Sequence, residues 1–163
     1  MAYPVDIREE ELKKKVAADF FGAFDTTRLL GNVDFAVAVP CADTAAEIEY
    51  LLWAEAKKGV RASIEDSFVQ LVITIGKART FERHLPPRFL GAFDAGKIAF
   101  IEYKDIQDIF HANDFNWNVT PSDHATREFA QVRSRVADIL DGATLIFRFD
   151  RDRKELERFV RRN

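Results

Sequence analysis

The stretch LLWAEAKKG, residues 51–59, decides how the rest of the chain is interpreted. Its first four residues are apolar, as in a buried strand, and it ends with a glycine, which is a turn signal. Because side chains alternate along a strand, Glu55 and Lys57 are predicted to share a face with Leu51 and Trp53. A buried strand is therefore expected to end with a carboxylate and an ammonium group on the same face.

A second strand is predicted just upstream, and it carries another acid. Residues 33–40, VDFAVAVP, are mostly apolar, and residues 41–46 form a loop that leads into the strand over 47–57. Two consecutive strands joined by a short loop pair antiparallel. The hairpin is expected to bring Asp34, at the head of the first strand, close to Glu55.

The remaining sequence predicts further helices and strands. The segment 63–80 contains β-branched residues, but its apolar positions recur with the 3.6-residue period of a helix and its polar positions form an opposite stripe. The other predicted elements are helices over 5–21, 104–111, 120–140 and 155–160, strands over 97–103 and 144–149, and a loop over 84–96. This order predicts one α/β domain, residues 1–163, with a central mixed β-sheet flanked by helices.

Composition and charge limit the class of protein. With 163 residues, 47% of them hydrophobic, the chain is long enough to bury a core. Its apolar runs are shorter than a membrane span, and charge appears early in the sequence, so a cytoplasmic location without a membrane partner is expected. Cys41 is the only cysteine, which excludes an internal disulfide and a cysteine-based zinc site. The net charge of −3 argues weakly against a free-standing nucleic-acid binder.

Paired acids beside a lysine suit the hydrolysis of phosphodiester bonds. Asp34 and Glu55 can hold Mg²⁺ against the scissile phosphate. Lys57 can steady the attacking water or the negative charge of the transition state. These three residues are the candidate site that the sequence offers.

An acid two residues before a lysine is not by itself informative, since chance gives about one or two such patterns in this composition. The chain contains four, and those at 11–13 and 152–154 lie in helical patterns, where the two side chains diverge. The pattern at 102–104 also closes an apolar strand. Its nearest upstream acid, Asp94, is eight residues away, which is interpreted as leaving no room for a preceding strand. The pattern that contains Glu55 is therefore preferred.

Several segments together resemble a known family. They are FDTTRLLGNVDFAVAVP, LLWAEAKKG, FVQLVITIGKARTFERHLPPRFLGAFDAGKIAFI and IQDIFHANDFNWNVTPSDHATREF, which span roughly residues 20–130. They are similar to the N-terminal endonuclease domain of single-chain, type IIG-like restriction–modification enzymes, within the PD-(D/E)XK nuclease superfamily. The resemblance implies the restriction-endonuclease-like fold.

The resemblance also implies roles for individual residues. Asp34 and Glu55 correspond to the metal ligands, with the carbonyl of Ala56 as a third, and Lys57 corresponds to the catalytic lysine. Val33 stands where the family name asks for a proline, a substitution that is common in the superfamily.

Two further residues have a functional and a structural interpretation. Gln70 resembles a glutamine that one branch of the superfamily carries near the active site, but it can equally be a polar residue on the outer stripe of its helix. Glu9 resembles an acid that many members place on the first helix as an additional metal ligand, but a residue at a helix end can also simply reach solvent.

The function implied is a Mg²⁺-dependent DNA endonuclease, with Mn²⁺ as a possible substitute. Its substrate is double-stranded DNA, which is hydrolysed by direct attack of water. By the same resemblance, methyltransferase and target-recognition regions are covalently linked in the full-length protein, and dimerisation during cleavage is possible. The alternatives are a stand-alone structure-specific or repair nuclease, and a catalytically silent domain that serves protein interaction or DNA docking.

Other residue types are interpreted as structural. His84, His111 and His124 are too scattered to form a recognisable zinc site, and each is expected to be a surface or loop histidine. Phe115 and Trp117 can stack on a splayed base, but anchoring their loop is the preferred interpretation.

Overall fold

The computed structural model describes residues 3–41 and 47–163, so the predicted loop over 41–46 lies, apart from Cys41, outside the described residues. None of the helices in these two ranges has the length and apolar composition that crossing a membrane requires. The helices are α1 (Glu9–Phe20), α2 (Ile64–Ala78), α3 (Thr80–Arg83), α4 (Tyr103–Ile106), α5 (Arg127–Leu140) and α6 (Arg153–Arg162), with a 3₁₀ helix over Gln107–His111. The strands are β1 (Phe35–Ala38), β2 (Tyr50–Ala56), β3 (Phe89–Phe93), β4 (Lys97–Glu102) and β5 (Leu145–Arg148).

The five strands form one mixed sheet in the order β1-β2-β3-β4-β5. Strands β2 and β3 are parallel, and the other neighbouring pairs are antiparallel. A parallel pair needs a crossover connection, and α2 supplies it. The predicted α/β class, a central mixed sheet flanked by helices, is confirmed.

Each face of the sheet buries its own apolar cluster. On one face Trp53 of β2 packs in a cluster with α2 and α5, which contribute Phe68 and Val132. On the other face α1 and α6 contribute Leu12 and Leu156 to a second cluster. The helices therefore bury both faces of the sheet, which accounts for the long apolar run of β2.

The prediction of a loop over 84–96 is wrong, because it contains β3. Two prolines before the strand and Gly91 within it are residues typical of loops, which accounts for the prediction. Gly91 is there because the sheet is tightly packed: a Cβ atom at this position would lie 2.8 Å from Cδ1 of Leu52 and 3.0 Å from the carbonyl oxygen of Ala99. All five residues of β3 are buried, so its sequence shows no alternation.

Two predicted helix starts are also wrong. Helix α5 begins at Arg127, not at residue 120, because Thr126 is its N-cap and accepts a hydrogen bond from the N–H of Phe129 at 3.1 Å. Helix α1 begins at Glu9, not at residue 5, and Val5, at the predicted start, is exposed. Helix α2 begins as predicted, after its cap at Ser63.

The predicted face of Leu51 is wrong as well. The pairing of β1 with β2 shifts between Val37 and Ala38, so that β2 carries one extra residue at this point. Leu51 consequently packs in the cluster of α1 and α6, whereas Trp53 packs in that of α2 and α5. The bulge lies before Glu55 and leaves the end of β2 regular.

Candidate active site

The start of β1 and the end of β2 lie side by side. Phe35, the first residue of β1, pairs with Ala54 of β2. The preceding residue, Asp34, therefore lies beside the last two residues of β2, Glu55 and Ala56. Oδ2 of Asp34 accepts a hydrogen bond from the backbone N–H of Ala56 at 3.2 Å. The hairpin thus brings Asp34 and Glu55 together, as the sequence predicts.

Glu55 is a buried acid, with 3% of its surface exposed. Burial raises the pKa of its carboxyl group, and the negative charge of Asp34 raises it further, against an opposing effect from Lys57. The balance places the pKa of Glu55 at about 8. Without a further positive charge, the pair of acids therefore retains a proton at neutral pH.

Gln70 joins Glu55 to Lys57. Its Nε2 donates a hydrogen bond to Oε1 of Glu55 at 2.8 Å, and its Oε1 accepts one from Nζ of Lys57 at 2.7 Å. Nζ of Lys57 also lies 3.5 Å from Oε1 of Glu55. The interpretation of Gln70 as an outward-facing residue of α2 is wrong, because both ends of its amide contact the strand residues.

Glu9 lies near this cluster but is more weakly connected to it. Burial raises the pKa of Glu9, and the charge of Asp34 raises it further, while Lys13 and Lys57 lower it. In the part of the chain that the structure describes, no three His, Cys, Asp or Glu side chains form a group that can hold a metal ion. The structure thus places Glu9 within electrostatic reach of the site and brings only two carboxylates together there.

The residues at the end of β2 fit a single hard cation. Asp34 and Glu55 supply carboxylate oxygens, the ligand type that Mg²⁺ prefers. The N–H and the carbonyl of a strand residue point to the same side of the strand. Because the N–H of Ala56 is bonded to Asp34, the carbonyl of Ala56 also points to the side of Asp34, past the Phe35–Ala54 pair. The burial of Glu55 next to the carboxylate of Asp34 is the observation behind this fit, since a divalent cation would offset the two close negative charges.

Two open grooves flank the cluster. One, of about 550 Å³, lies between α1 and the segment 26–29 and is lined by Asp34 together with Lys14 and Arg28. The other, of about 450 Å³, lies between α2 and the turn at 121–122 and is lined by Gln70 together with Lys77.

The rejected pattern at the end of β4 forms a surface ion pair. Nζ of Lys104 lies 3.0 Å from Oε2 of Glu102, and both side chains are exposed. The prediction that no strand precedes Asp94 is wrong, because β3 ends directly before it. Asp94 is instead engaged in the β3–β4 turn, where Oδ1 accepts hydrogen bonds from the backbone of Gly96 at 2.9 Å and of Lys97 at 3.1 Å.

The aromatic residues of the loop before α5 anchor it to the protein. Trp117 packs so closely on Gly76 of α2 that a Cβ atom there would lie 2.3 Å from Cε3 of the indole. Phe115 packs edge-to-face on Trp117, with their ring centroids 5.5 Å apart. The preferred interpretation of these two residues as a loop anchor agrees with these contacts.

One residue near the site was not singled out from the sequence. His124 is exposed, as expected for a surface histidine, but its Nε2 lies 3.2 Å from Oε1 of Gln70. The two residues are 54 positions apart, and no spacing rule connects them. The order of the elements gave no signal either, because the predicted start of α5 placed His124 inside a helix.

The roles considered for these residues come from their chemistry and from the family resemblance. The structure adds the proximity of Asp34, Glu55, Lys57 and Gln70, which the spacing alone does not give. Comparison with known protein families, with curated protein sequences and with solved structures finds no match to this chain.

Proposed function

We propose that the chain is a Mg²⁺-dependent DNA endonuclease domain with the restriction-endonuclease-like fold of the PD-(D/E)XK superfamily. The observation that supports this most strongly is the linked set of Glu55, Gln70 and Lys57 beside Asp34. A buried acid beside a second carboxylate and a lysine, next to two open grooves, is the arrangement expected of a catalytic site, and the raised pKa of Glu55 accords with it.

Each side chain has a distinct task in this proposal. Asp34, Glu55 and the carbonyl of Ala56 would hold Mg²⁺, which supplies positive charge to the scissile phosphate and promotes ionisation of the attacking water. The ammonium of Lys57 stabilises the additional negative charge of the pentacovalent transition state. Before substrate binds, Gln70 links Lys57 to Glu55, because it is hydrogen-bonded to both.

The substrate proposed is double-stranded DNA, with one strand passing through the two grooves. Lys14 and Arg28 in one groove and Lys77 in the other are suited to phosphates on either side of the scissile bond. The net charge of −3 means that these contacts give only weak binding by this domain alone. Tight binding to duplex DNA at physiological salt would contradict this part of the proposal.

The larger context is proposed on the resemblance alone. In it, the domain is the cleavage module of a restriction–modification protein in the cytoplasm, linked to methyltransferase and target-recognition regions. Two cuts in a duplex require two active sites, so the domain would pair with a second copy during cleavage.

The test is cleavage of supercoiled plasmid DNA by the wild-type protein and by Asp34→Asn, in the presence of Mg²⁺ or Mn²⁺. An asparagine at this position can still accept the hydrogen bond from Ala56, so the fold should be unaffected while one metal ligand loses its charge. We expect nicked or linear product from the wild-type protein and none from the variant. Asp105→Asn, at an exposed position, serves as the control and should cleave normally.

Three other results would change the assignment. A wild-type protein that binds Mn²⁺ but cleaves no DNA under these conditions contradicts the proposal. A strong preference for branched over linear DNA favours the repair nuclease. Failure to bind Mn²⁺ in calorimetry favours the catalytically silent interaction domain.

A further inference from the structure

The turn that leads into α5 holds an imidazole ring against the proposed site. The ring of His124 stacks on Phe129 with a centroid distance of 4.2 Å and an interplanar angle of 21°. Phe129 is 3% exposed, and its N–H is bound by the Thr126 cap. The imidazole is thus held by the capped first turn of α5, a helix that packs on α2.

The hydrogen bond to Gln70 has a defined direction. The amide oxygen of Gln70 can only accept, so Nε2 of His124 must carry the hydrogen. The same oxygen accepts from Lys57, while the amide nitrogen donates to Glu55. A flipped amide would place its NH₂ group against the ammonium of Lys57, which can only donate, so Lys57 specifies the orientation of the amide.

We propose that His124 is a positioning residue of the endonuclease site, which holds the Gln70 amide in its productive orientation when Lys57 leaves it for the substrate. In the resting structure Nζ of Lys57 is occupied by Gln70 at 2.7 Å. To stabilise a transition state, this ammonium must turn towards the phosphate, and the amide oxygen then loses one of its two donors. His124 is the second donor, and α5 keeps it in place. This inference rests on the proposed nuclease function.

Two substitutions separate the hydrogen bond from the packing. His124→Phe retains an aromatic ring for stacking on Phe129 but removes the donor. His124→Gln supplies an N–H donor near the position of Nε2 but removes the ring. With plasmid DNA and Mg²⁺, we expect His124→Phe to lower kcat by about 10- to 100-fold with little change in KM. This is the range typical of residues that orient a metal ligand or a catalytic side chain. His124→Gln should recover most of the lost kcat.

The opposite pattern would overturn the inference. If His124→Phe cleaves at the wild-type rate, the hydrogen bond is unnecessary. If His124→Gln is as slow as His124→Phe, restoring the donor does not restore the rate, and loss of the hydrogen bond is not the cause of the defect. Thermal unfolding of both variants provides the check that they fold.

A second measurement does not depend on cleavage. The chain has three glutamines, Gln70, Gln107 and Gln131, so glutamine-selective ¹⁵N labelling gives three side-chain NH₂ signals, and the Gln70→Leu variant identifies the relevant one. We expect its signal to shift or broaden in His124→Phe and to stay close to wild type in His124→Gln. An unchanged signal in His124→Phe overturns the positioning role, whereas absence of cleavage by the wild-type protein overturns the proposed function, so the two failures can be distinguished.

Discussion

The ends of β2 and β4 carry the same pattern, an acid two residues before a lysine, and have opposite properties. At β2 the side chains of Glu55 and Lys57 are 4% and 30% exposed. At β4 those of Glu102 and Lys104 are 42% and 73% exposed. Burial and the charge of Asp34 raise the pKa of Glu55 to about 8. The same spacing at the ends of two apolar strands therefore gives a buried cluster in one case and a surface ion pair in the other.

The difference arises from what surrounds each strand end. At the end of β2, the N–H of Ala56 is bonded to Asp34 on one side and the N–H of the next residue, Lys57, to the carbonyl of Phe93 on the other, and α2 packs over the strand. Beyond β4, the chain turns at once into α4, so Lys104 is a helical residue and no longer follows the alternation of the strand. An acid two residues before a lysine is thus a candidate site only where neighbouring strands and a helix surround the end of the strand.

The largest effect is expected when the two lysines are removed in turn. Lys57→Ala should lower DNA cleavage at least about 100-fold, because it removes the charge that opposes the developing negative charge. Lys104→Ala should leave the rate unchanged, since its partner Glu102 is exposed and lies on β4, which β3 separates from β2 in the sheet. Initial rates on plasmid DNA with Mg²⁺ measure both. Equal rates for Lys57→Ala and Lys104→Ala would contradict the assignment of Lys57 as the catalytic lysine.

The next effect concerns stability and pH. The pKa of Glu55 is about 8 in the folded chain and near 4.5 when it is unfolded, so the folded state retains a proton that the unfolded state releases between these values. Stability from this group is fully present below about pH 4.5 and is lost as the pH rises towards 8, by at most about 1.4 kcal/mol per pH unit. Glu55→Gln should remove this loss and raise the Tm measured at pH 8 without metal.

Glu102→Gln is the matched control, and it should leave the pH dependence of the Tm as in the wild type. Adding Mg²⁺ at pH 8 should raise the Tm of the wild-type protein, because a bound cation favours the ionised acids, and should have little effect on Glu55→Gln. A wild-type Tm that does not change from pH 5 to 8 in the absence of metal would show that folding does not raise the pKa of Glu55.

The contrast also shows what the sequence can predict. The hairpin, α2 and the proximity of Asp34 to Glu55 follow from local periodicity and short connections, and all were predicted. Strand β3 was not, because a strand that is buried on both faces and carries Gly91 has no alternation to reveal it. The contact between His124 and Gln70 was not predicted either, since it depends on how α5 packs on α2, which no local pattern encodes.

The smallest expected effect is on DNA affinity, and it extends the comparison from the strand ends to the grooves beside them. Lys77 lines the groove next to Gln70, whereas Lys104 lies on the surface at the end of β4. If Lys77 contacts one phosphate, Lys77→Ala should weaken binding slightly and reduce the slope of log K against log salt by about 0.9, the value for one released counterion. Fluorescence anisotropy with a labelled duplex measures this slope, with Ca²⁺ in place of Mg²⁺ to prevent cleavage. Lys104→Ala should leave it unchanged, and a similar decrease in both variants would mean that binding follows overall charge and not a path through the groove.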